Sequence, residues 1–283
     1  MITIRIAGVP EHFNLPWHLA LEDGSFKAAG LDVKWTDVPE GTGKMCQMLR
    51  DDQTDVAVIL TEGIVRDIVL GNPSKIVQVY VHTPLLWGIH VAAASAFETV
   101  EDLREKTAAI SRPGSGSQLM AYVNAARMGW SVQDLTFKTV HTIEGAVAAL
   151  THGEADYFMW ERFMTKPLVD NGIFRRLDDC PTPWPCFVIA VTDAFLEAHP
   201  KAIAGLLKTI NATSRNFKDI PKIERELARR FNQKETDIVD WLSRTCWSNE
   251  VPTADMLNNV QKELVSLSLI PKMGTFAEIA KAL

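Results

Sequence analysis

One stretch decides the fold of this chain: AAISRPGSGSQLM, residues 108–120. It opens with the small apolar residues typical of a short buried strand, continues as a Gly/Ser-rich loop, and ends with the apolar spacing of a helix. Such a loop places the unpaired backbone N–H groups of a helix start next to the end of a strand. Loops of this kind often bind phosphate or another anion.

The glycine pattern argues against the two best-known nucleotide-binding loops. A dinucleotide fingerprint requires Gly-x-Gly-x-x-Gly, and a P-loop requires a glycine-rich run that ends in Gly-Lys-Ser/Thr. Gly114 and Gly116 lack both the third glycine and the lysine. The two glycines still allow close backbone approach to a polar or anionic ligand atom. Ser115 or Ser117 could instead only cap the helix, and capping and ligand contact can coexist.

The same order of elements occurs twice along the chain. The first copy predicts strands, loops and helices at residues 4–7, 8–17, 18–23, 31–35, 39–43, 44–50 and 55–60. The second copy predicts them at residues 108–110, 111–117, 118–128, 135–140, 142–145, 146–152 and 156–159. Ile6 and Gly41 are 35 residues apart, and so are Ile110 and Gly145. A repeated β-α-β-α-β unit predicts two copies of one architecture.

Strands that alternate with helices through short turns predict parallel sheets covered by helices. The fold class is therefore predicted as α/β with two lobes, each a mostly parallel sheet flanked by helices. Apolar segments at 76–91 and 183–191 are predicted as the two crossovers between the lobes. Lobe I would comprise residues 1–87 and 188–283, and lobe II residues 88–187. The helical tail, at 194–217, 222–231, 235–247 and 253–267, is predicted to pack on lobe I.

The composition limits the classes of partner. The 283 residues carry a net charge of −6 and are 47% apolar, with Lys and Arg scattered along the chain. This distribution predicts no positive surface for nucleic acid or for an anionic membrane. No apolar run approaches the roughly 18 residues of a membrane helix, so no membrane span is expected.

The N-terminal residues enter a strand-like segment without the basic and apolar regions of an export signal. As written, the chain is expected to be cytoplasmic, whereas a processed form would be periplasmic or tethered as a lipoprotein. The four cysteines and seven histidines have no metal-binding or redox spacing. The sequence therefore predicts no metal and no cofactor.

Several short motifs, in this order, resemble a known superfamily. They are LALEDGSF, GLDV, GTG and TDVA, at residues 19–26, 30–33, 41–43 and 54–57. Together they resemble the type II periplasmic-binding-protein superfamily, and within it the receptors for sulfonates and thiamine pyrimidines and the related fungal pyrimidine synthases. The resemblance implies a Venus-flytrap fold whose first lobe contains both chain ends, and a monomer.

A second set of motifs is similar to one subgroup of that superfamily. These are Thr61-Glu62, ISRPGSGS at residues 110–117, FMWE at 158–161 and TPWP at 182–185. The subgroup occurs in bacteria and in some fungi, lacks a signal peptide and has no established ligand. The resemblance therefore implies a fold and a general activity, but it does not name the ligand.

Ligands of open α/β sheets bind at the carboxyl ends of the strands. If the two predicted lobes face each other, the loops at those ends line one cleft. The residues predicted to bind ligand there are Glu11, His12, Trp17, Gly41, Thr42, Gly43, Thr61, Glu62, Trp87, Arg112, Gly114, Ser115, Gly116, Ser117, Trp160, Glu161 and Trp184. No residue is predicted to be catalytic.

The chemistry of these residues favours a ligand with N–H groups. The four tryptophans offer flat faces to an aromatic heterocycle or a cationic amine. Glu62 and Glu161 end equivalent strands, and with Glu11 they face a single cation, Arg112. Paired acids fit N–H donors better than a bare sulfonate or phosphate. Packing, capping or solvation is the alternative role of each residue.

We expect a solute-binding protein that closes two lobes over a small polar or heterocyclic ligand, either an aminopyrimidine-like thiamine precursor or a small organic anion. An ABC permease would be its partner if the chain is exported; a cytosolic ligand sensor is a further hypothesis. The alternative is an enzyme on the same fold, since fold does not fix function. That enzyme would be like a pyrimidine synthase, or like a menaquinone-pathway lyase that uses His12, Glu62 and Glu161.

Two absences weigh against the enzyme. The synthases carry a cysteine-rich iron motif, and the comparable region of this chain has no cysteine cluster. No activated nucleophile or proton-transfer pair stands out by residue type and spacing. Ligand binding without catalysis is therefore the favoured expectation.

Overall fold

The computed structural model describes residues 1–283, and the chain divides into two compact units. Unit 1 comprises Met1–Thr83 and Trp184–Leu283, and unit 2 comprises Pro84–Pro183. The boundaries thus fall at 83/84 and 183/184, where the sequence placed them at 87/88 and 187/188. The reason is that the strand containing Trp87 pairs entirely within unit 2.

Ten strands and thirteen helices make up the chain. The strands are β1 Ile2–Gly8, β2 Leu31–Asp37, β3 Val56–Leu60, β4 Ser74–Val81, β5 Leu86–Ala92, β6 Thr107–Ile110, β7 Thr136–Thr139, β8 Tyr157–Glu161, β9 Phe174–Pro181 and β10 Phe187–Thr192. The helices are α1 Leu15–Glu22, α2 Ser25–Ala28, α3 Thr42–Arg50, α4 Thr61–Val69, α5 Gly116–Arg127, α6 Ile143–Thr151, α7 Lys166–Asp170, α8 Asp193–Ala198, α9 Pro200–Arg215, α10 Ile223–Phe231, α11 Glu235–Arg244, α12 Ala254–Ser266 and α13 Phe276–Ile279.

The two units have sheets of the same topology. The strand order is β2-β1-β3-β10-β4 in unit 1 and β7-β6-β8-β5-β9 in unit 2. In each sheet four strands run in one direction, and the strand in the fourth position, β10 or β5, pairs antiparallel with both neighbours. These two reversed strands are the segments that the sequence identified as crossovers. The prediction of an α/β fold with two lobes built on mostly parallel sheets is confirmed.

The burial of the strands follows their position in the sheet. The central strands β3 and β10 are almost wholly buried, and their sequences VAVIL and FVIAVT are continuous apolar runs. The edge strand β7, with sequence TFKT, alternates between exposed and partly buried residues. This contrast is the one expected when helices cover both faces of a sheet at its centre.

Two parts of the chain differ from the sequence prediction. The helix predicted over 194–217 is interrupted at His199, because Pro200 supplies no backbone N–H and begins α9 instead. The segment that forms α7 and β9 was not predicted. The β9 sequence FRRLDDCP carries four charged residues, which hide its strand pattern, and the strand lies at the sheet edge, where charge is tolerated.

No helix combines the length and the apolar character that a bilayer span requires.

Candidate functional site

The carboxyl ends of β1, β2, β3 and β4 lie on one edge of the unit 1 sheet, together with the amino end of β10. This edge, called here the unit 1 edge, is formed by the segments that follow those strands and by residues 184–186. Most residues predicted from the first copy of the repeat lie in these segments. The corresponding unit 2 edge is formed by the segments that follow β6, β7, β8 and β9.

At the unit 1 edge, β3 passes into α4 without an intervening loop, since the strand ends at Leu60 and the helix begins at Thr61. The Thr61 backbone N–H donates to the carbonyl of Cys186 at 3.0 Å. The Thr61 hydroxyl donates to the carbonyls of Pro185 and Cys186. Thr61 is fully buried, so its hydroxyl ties the start of α4 to the segment before β10. Its polar groups are engaged by the protein itself.

Glu62 occupies the first turn of α4 and has an unusual environment. Its side chain is 2% exposed, and the indole Nε1 of Trp184 donates to its Oε2 at 2.7 Å. Its second oxygen, Oε1, is buried without a hydrogen-bond partner. Burial raises the pKa of Glu62 to about 7, although hydrogen bonds from its own backbone N–H and from the Trp184 indole act in the opposite direction. The carboxyl group is therefore divided between its acid and carboxylate forms at neutral pH.

The first turn of α3 packs against the first turn of α4. Gly41 precedes α3 with φ 78° and ψ −160°, a conformation that favours glycine, and no side chain caps the helix there. A Cβ atom at Gly63 would lie 2.2 Å from Thr42 Cγ2, so glycine permits this approach. Thr42 is half-buried and Gly43 is exposed. The first turns of α3 and α4 thus adjoin at Gly63, the residue after Glu62.

Glu11 and His12 follow β1 but differ in burial. Glu11 is partly buried, and desolvation raises its pKa to about 7. His12 is fully buried and stacks on Trp241 of α11, with ring centroids 4.2 Å apart. Burial lowers the pKa of His12 to about 3, so its imidazole is neutral at physiological pH.

Trp17 lies in the core of unit 1 and does not line the surface of the edge. It is fully buried and packs near Phe26, Trp35 and Tyr80. Trp35 was assigned only to a strand by its sequence, yet its indole lies across the backbone of Gly8: a Cβ at Gly8 would be 2.4 Å from its Cη2 atom. The missed signal is the glycine that ends β1, which marks a close approach of another group.

The serine-rich loop of the unit 2 edge satisfies much of its own hydrogen bonding. Ser115 caps α5 by accepting from the backbone N–H of Gln118, and its hydroxyl lies 3.0 Å from that of Ser117. The Ser117 hydroxyl also accepts from the backbone N–H of Ser111. Gly114, with φ 75°, donates its N–H to the Gln118 side chain at 2.6 Å. Capping is therefore the role that the structure displays for Ser115.

The remaining loop residues differ in exposure. Arg112 is half-buried, and Gly116 is the first residue of α5. Ser111, Ser115 and Ser117 are buried. The exposed residues of the loop are Pro113 and Gly114, and Arg112 and Gly116 are partly accessible.

Trp87, Trp160 and Glu161 lie together at the end of β8. Trp87 and Glu161 are paired in register, and the Trp87 and Trp160 rings meet edge to face with centroids 6.2 Å apart. The Trp87 indole N–H is buried without a partner. Glu161 is buried, and its Oε2 accepts from the backbone N–H groups of Phe163 and Met164. Glu161 therefore holds the turn that follows its own strand.

Metal-binding groups do not assemble in either unit. No group of three or more His, Cys, Asp or Glu side chains has the arrangement of a metal site. All four cysteines are free thiols: Cys46, Cys180 and Cys186 are buried and Cys246 is exposed.

The family model described as Ca3427-like PBP, where PBP denotes a periplasmic binding protein, matches residues 87–180. That range corresponds to most of unit 2. No curated protein matches the sequence.

Solved structures match nearly the whole chain. The CA3427 gene product of Candida albicans, described as having the generic periplasmic-binding-protein fold, is 24% identical with a TM-score of 0.88, over 96% of this chain and 92% of that one. The alkanesulfonate-binding protein SsuA of Xanthomonas axonopodis pv. citri, bound to MOPS, is 18% identical with a TM-score of 0.84, over 99% and 98% of the two chains. The periplasmic aliphatic sulphonate binding protein SsuA of Escherichia coli is 18% identical with a TM-score of 0.75, over 99% and 92%.

Proposed function

We propose that this chain, which has the fold of the type II periplasmic binding proteins, binds a small polar or heterocyclic solute. The observation that carries the proposal is the unit 1 edge: a buried carboxyl oxygen without a partner, on Glu62, beside two adjoining helix starts. Ligands of open α/β sheets bind at this end of the strands. The solved relatives named as binding proteins for sulfonates support the same general activity.

Two classes of solute are proposed, and different observations support each. The alkanesulfonate and aliphatic sulphonate specificities named for the two SsuA proteins support a small organic anion. Glu11 and Glu62, two carboxyl groups at one sheet edge, support a ligand with N–H donors such as an aminopyrimidine. We propose an ABC permease as the partner of an exported form.

Native mass spectrometry of the purified protein tests the proposal. A solute-binding protein of this kind is expected to carry over a small molecule, seen as a mass adduct that is lost on denaturation and recovered chemically unchanged. Thermal unfolding with candidate solutes gives a second measurement, because a ligand that binds only the folded state raises the unfolding temperature.

Two results would contradict solute binding. One is a protein that carries no adduct and whose unfolding temperature is moved by neither anions nor N–H donors. The other is turnover of the recovered molecule by the protein, which would indicate an enzyme on the same fold.

A further inference from the structure

We infer that Glu62 Oε1 is the atom that selects the solute, and that it accepts a hydrogen bond from an N–H group of a planar amine, amidine or amino-heterocycle. This inference rests on the proposed solute binding and names the class of solute. It decides between the two classes, because an anion would place its own lone pairs against those of the Glu62 carboxylate.

The first support is the unsatisfied oxygen itself. Buried polar atoms in native proteins are nearly always hydrogen-bonded, so each exception requires a reason. The Glu62 side chain is 2% exposed. Its Oε2 accepts from the Trp184 indole, whereas Oε1 is buried without a partner from another residue. A carboxylate oxygen only accepts hydrogen bonds. In the carboxylate form of Glu62, the missing partner is therefore a donor.

The second support is that the surrounding contacts fix the carboxyl group in place. The adjacent Thr61 is bonded to the carbonyls of Pro185 and Cys186, on the same segment that carries Trp184. On the other side, the close approach of Gly63 and Thr42 leaves no space for a side chain at residue 63. The Thr61 contacts and the Trp184 hydrogen bond thus restrain the orientation of the Glu62 carboxyl group. Trp184 is thus a positioning residue for Glu62.

The third support concerns the planar shape of the solute. The start of α3, which adjoins α4 at Gly63, has no side-chain cap, and the N–H groups of Thr42 and Gly43 precede the first hydrogen bonds to the Gly41 carbonyl. A ligand that donates to Oε1 and accepts from this helix start needs a donor and an acceptor close together. Amino-heterocycles with a ring nitrogen next to the amino group have that arrangement.

The charge around Glu62 gives the expected pH dependence. The elements packed against α4 are α3, α12, α13, β3 and β10, of which the two strands carry no ionisable residue. The ionisable side chains of the three helices and of α4 itself are Lys44, Cys46, Arg50, Arg66, Asp67, Asp255, Lys262, Glu263 and Glu278. None of them contributes to the raised pKa of Glu62, which burial causes.

Solute binding should therefore displace a proton from Glu62. A bound N–H donor favours the carboxylate, so affinity rises with pH up to and through the pKa. An anion would instead require the protonated acid as a donor, and its affinity would rise as pH falls. The two classes thus differ in the sign of the pH dependence.

The experiment is a calorimetric titration at pH 6 and pH 8 with three probes whose charge is constant over that range. These are 2-aminopyrimidine, which is neutral; benzamidine, a cation; and benzenesulfonate, an anion of similar size. We expect an N–H donor probe to bind about tenfold more tightly at pH 8, because Glu62 is mostly protonated at pH 6. Glu62→Gln, whose amide still accepts from Trp184, should bind that probe roughly tenfold or more weakly and lose the pH dependence. Asp255→Asn, at an exposed carboxylate of α12, is the control and should match the wild type.

A second variant, Trp184→Phe, gives a test that does not depend on the behaviour of Glu62→Gln. Trp184→Phe removes the hydrogen bond that lowers the pKa of Glu62, so the midpoint of the pH dependence should move to higher pH. Two results would overturn the inference and leave solute binding intact. One is that only benzenesulfonate binds; the other is that an N–H donor probe binds with the same affinity at both pH values and with the same affinity to Glu62→Gln. Binding of none of the three probes would overturn the inference as well, and the carried-over adduct would then decide the proposed function separately.

Discussion

Glu62 and Glu161 lie near the carboxyl ends of equivalent strands, β3 and β8, yet their carboxyl groups have different hydrogen-bond partners. Glu161 accepts two backbone N–H groups from the turn after β8. Glu62 accepts one indole N–H and keeps a buried oxygen without a partner. The two carboxyl groups thus have different hydrogen-bond environments, and we propose solute binding only for Glu62. Local stability should thus depend on Glu161, and selectivity on Glu62.

The largest expected effect compares two glycines that open helices. A Cβ at Gly145, in the first turn of α6, would lie 1.9 Å from the Val140 carbonyl oxygen, a backbone atom that cannot move aside. At Gly63 the obstacle is the end of the Thr42 side chain. Gly145→Ala should lower the free energy of unfolding by about 3 kcal/mol, and Gly63→Ala by about 1 kcal/mol. Urea unfolding of the two variants measures this; equal losses would contradict the assigned contacts.

The second prediction concerns the pH dependence of stability. Burial raises the pKa of Glu62 to about 7 in the folded protein, whereas in the unfolded chain it lies near its ordinary value of 4.5. The folded state then binds more protons between those pH values, so the contribution of Glu62 to stability falls as pH rises through this window. Relative to Glu62→Gln, the wild type should lose up to about 3 kcal/mol between pH 4.5 and pH 8. Unfolding curves that run parallel for the two proteins at every pH would refute the raised pKa.

Glu161 gives the matching test in unit 2. Both N–H groups donate to Oε2 of Glu161. Glu161→Gln replaces this charged acceptor by a weaker, uncharged amide oxygen and should lower the free energy of unfolding by about 2 kcal/mol. Denaturant titration checks it, and solute affinity of the folded variant is the accompanying readout. An unchanged free energy of unfolding would show that Glu161 does not hold the turn after β8.

The smallest effect concerns helix capping. Ser115 caps α5 through its hydroxyl, whereas α3 begins after Gly41 without a side-chain cap. Ser115→Ala should lower the free energy of unfolding by about 1 kcal/mol. Thr42→Ala should change it little, because Thr42 is not the capping residue. The pair of thermal melts distinguishes the two helix starts, and a larger loss for Thr42→Ala would reverse the assignment.

The fold could be predicted from the sequence because the two repeats contain strands and helices in the same order and at similar spacing. Gly41 lies 35 residues after Ile6, and Gly145 lies 35 residues after Ile110, which predicted two copies of one unit. The apolar run 187–191 predicted the strand that returns to unit 1. β9 escaped prediction because its charged residues mask the alternation of an edge strand. Pro200 divides the predicted long helix, because it has no backbone N–H and therefore begins a new helix, α9.

The sequence could predict which residues lie near the candidate site, but it could not predict the contacts that each of them makes. Glu62 and Trp184 are 122 residues apart in the chain, and no local pattern indicates their hydrogen bond. His12 was a candidate by its loop position, but Trp241 from the helical tail covers it. The serine-rich loop was a candidate anion site, and its internal hydrogen bonds emerge only when Ser111, Ser115 and Ser117 are brought together in three dimensions.

The most direct test of the account measures how many protons the protein releases when the solute binds. Calorimetric titration of the wild-type protein at pH 7 with the tighter-binding of 2-aminopyrimidine and benzamidine, in two buffers of different ionisation enthalpy, gives the number of protons exchanged on binding. With the pKa of Glu62 at about 7, the account predicts that Glu62 releases about half a proton per bound molecule, so that Glu62→Gln releases fewer protons than the wild type. Proton uptake by the wild type, or equal release by both proteins, would contradict it.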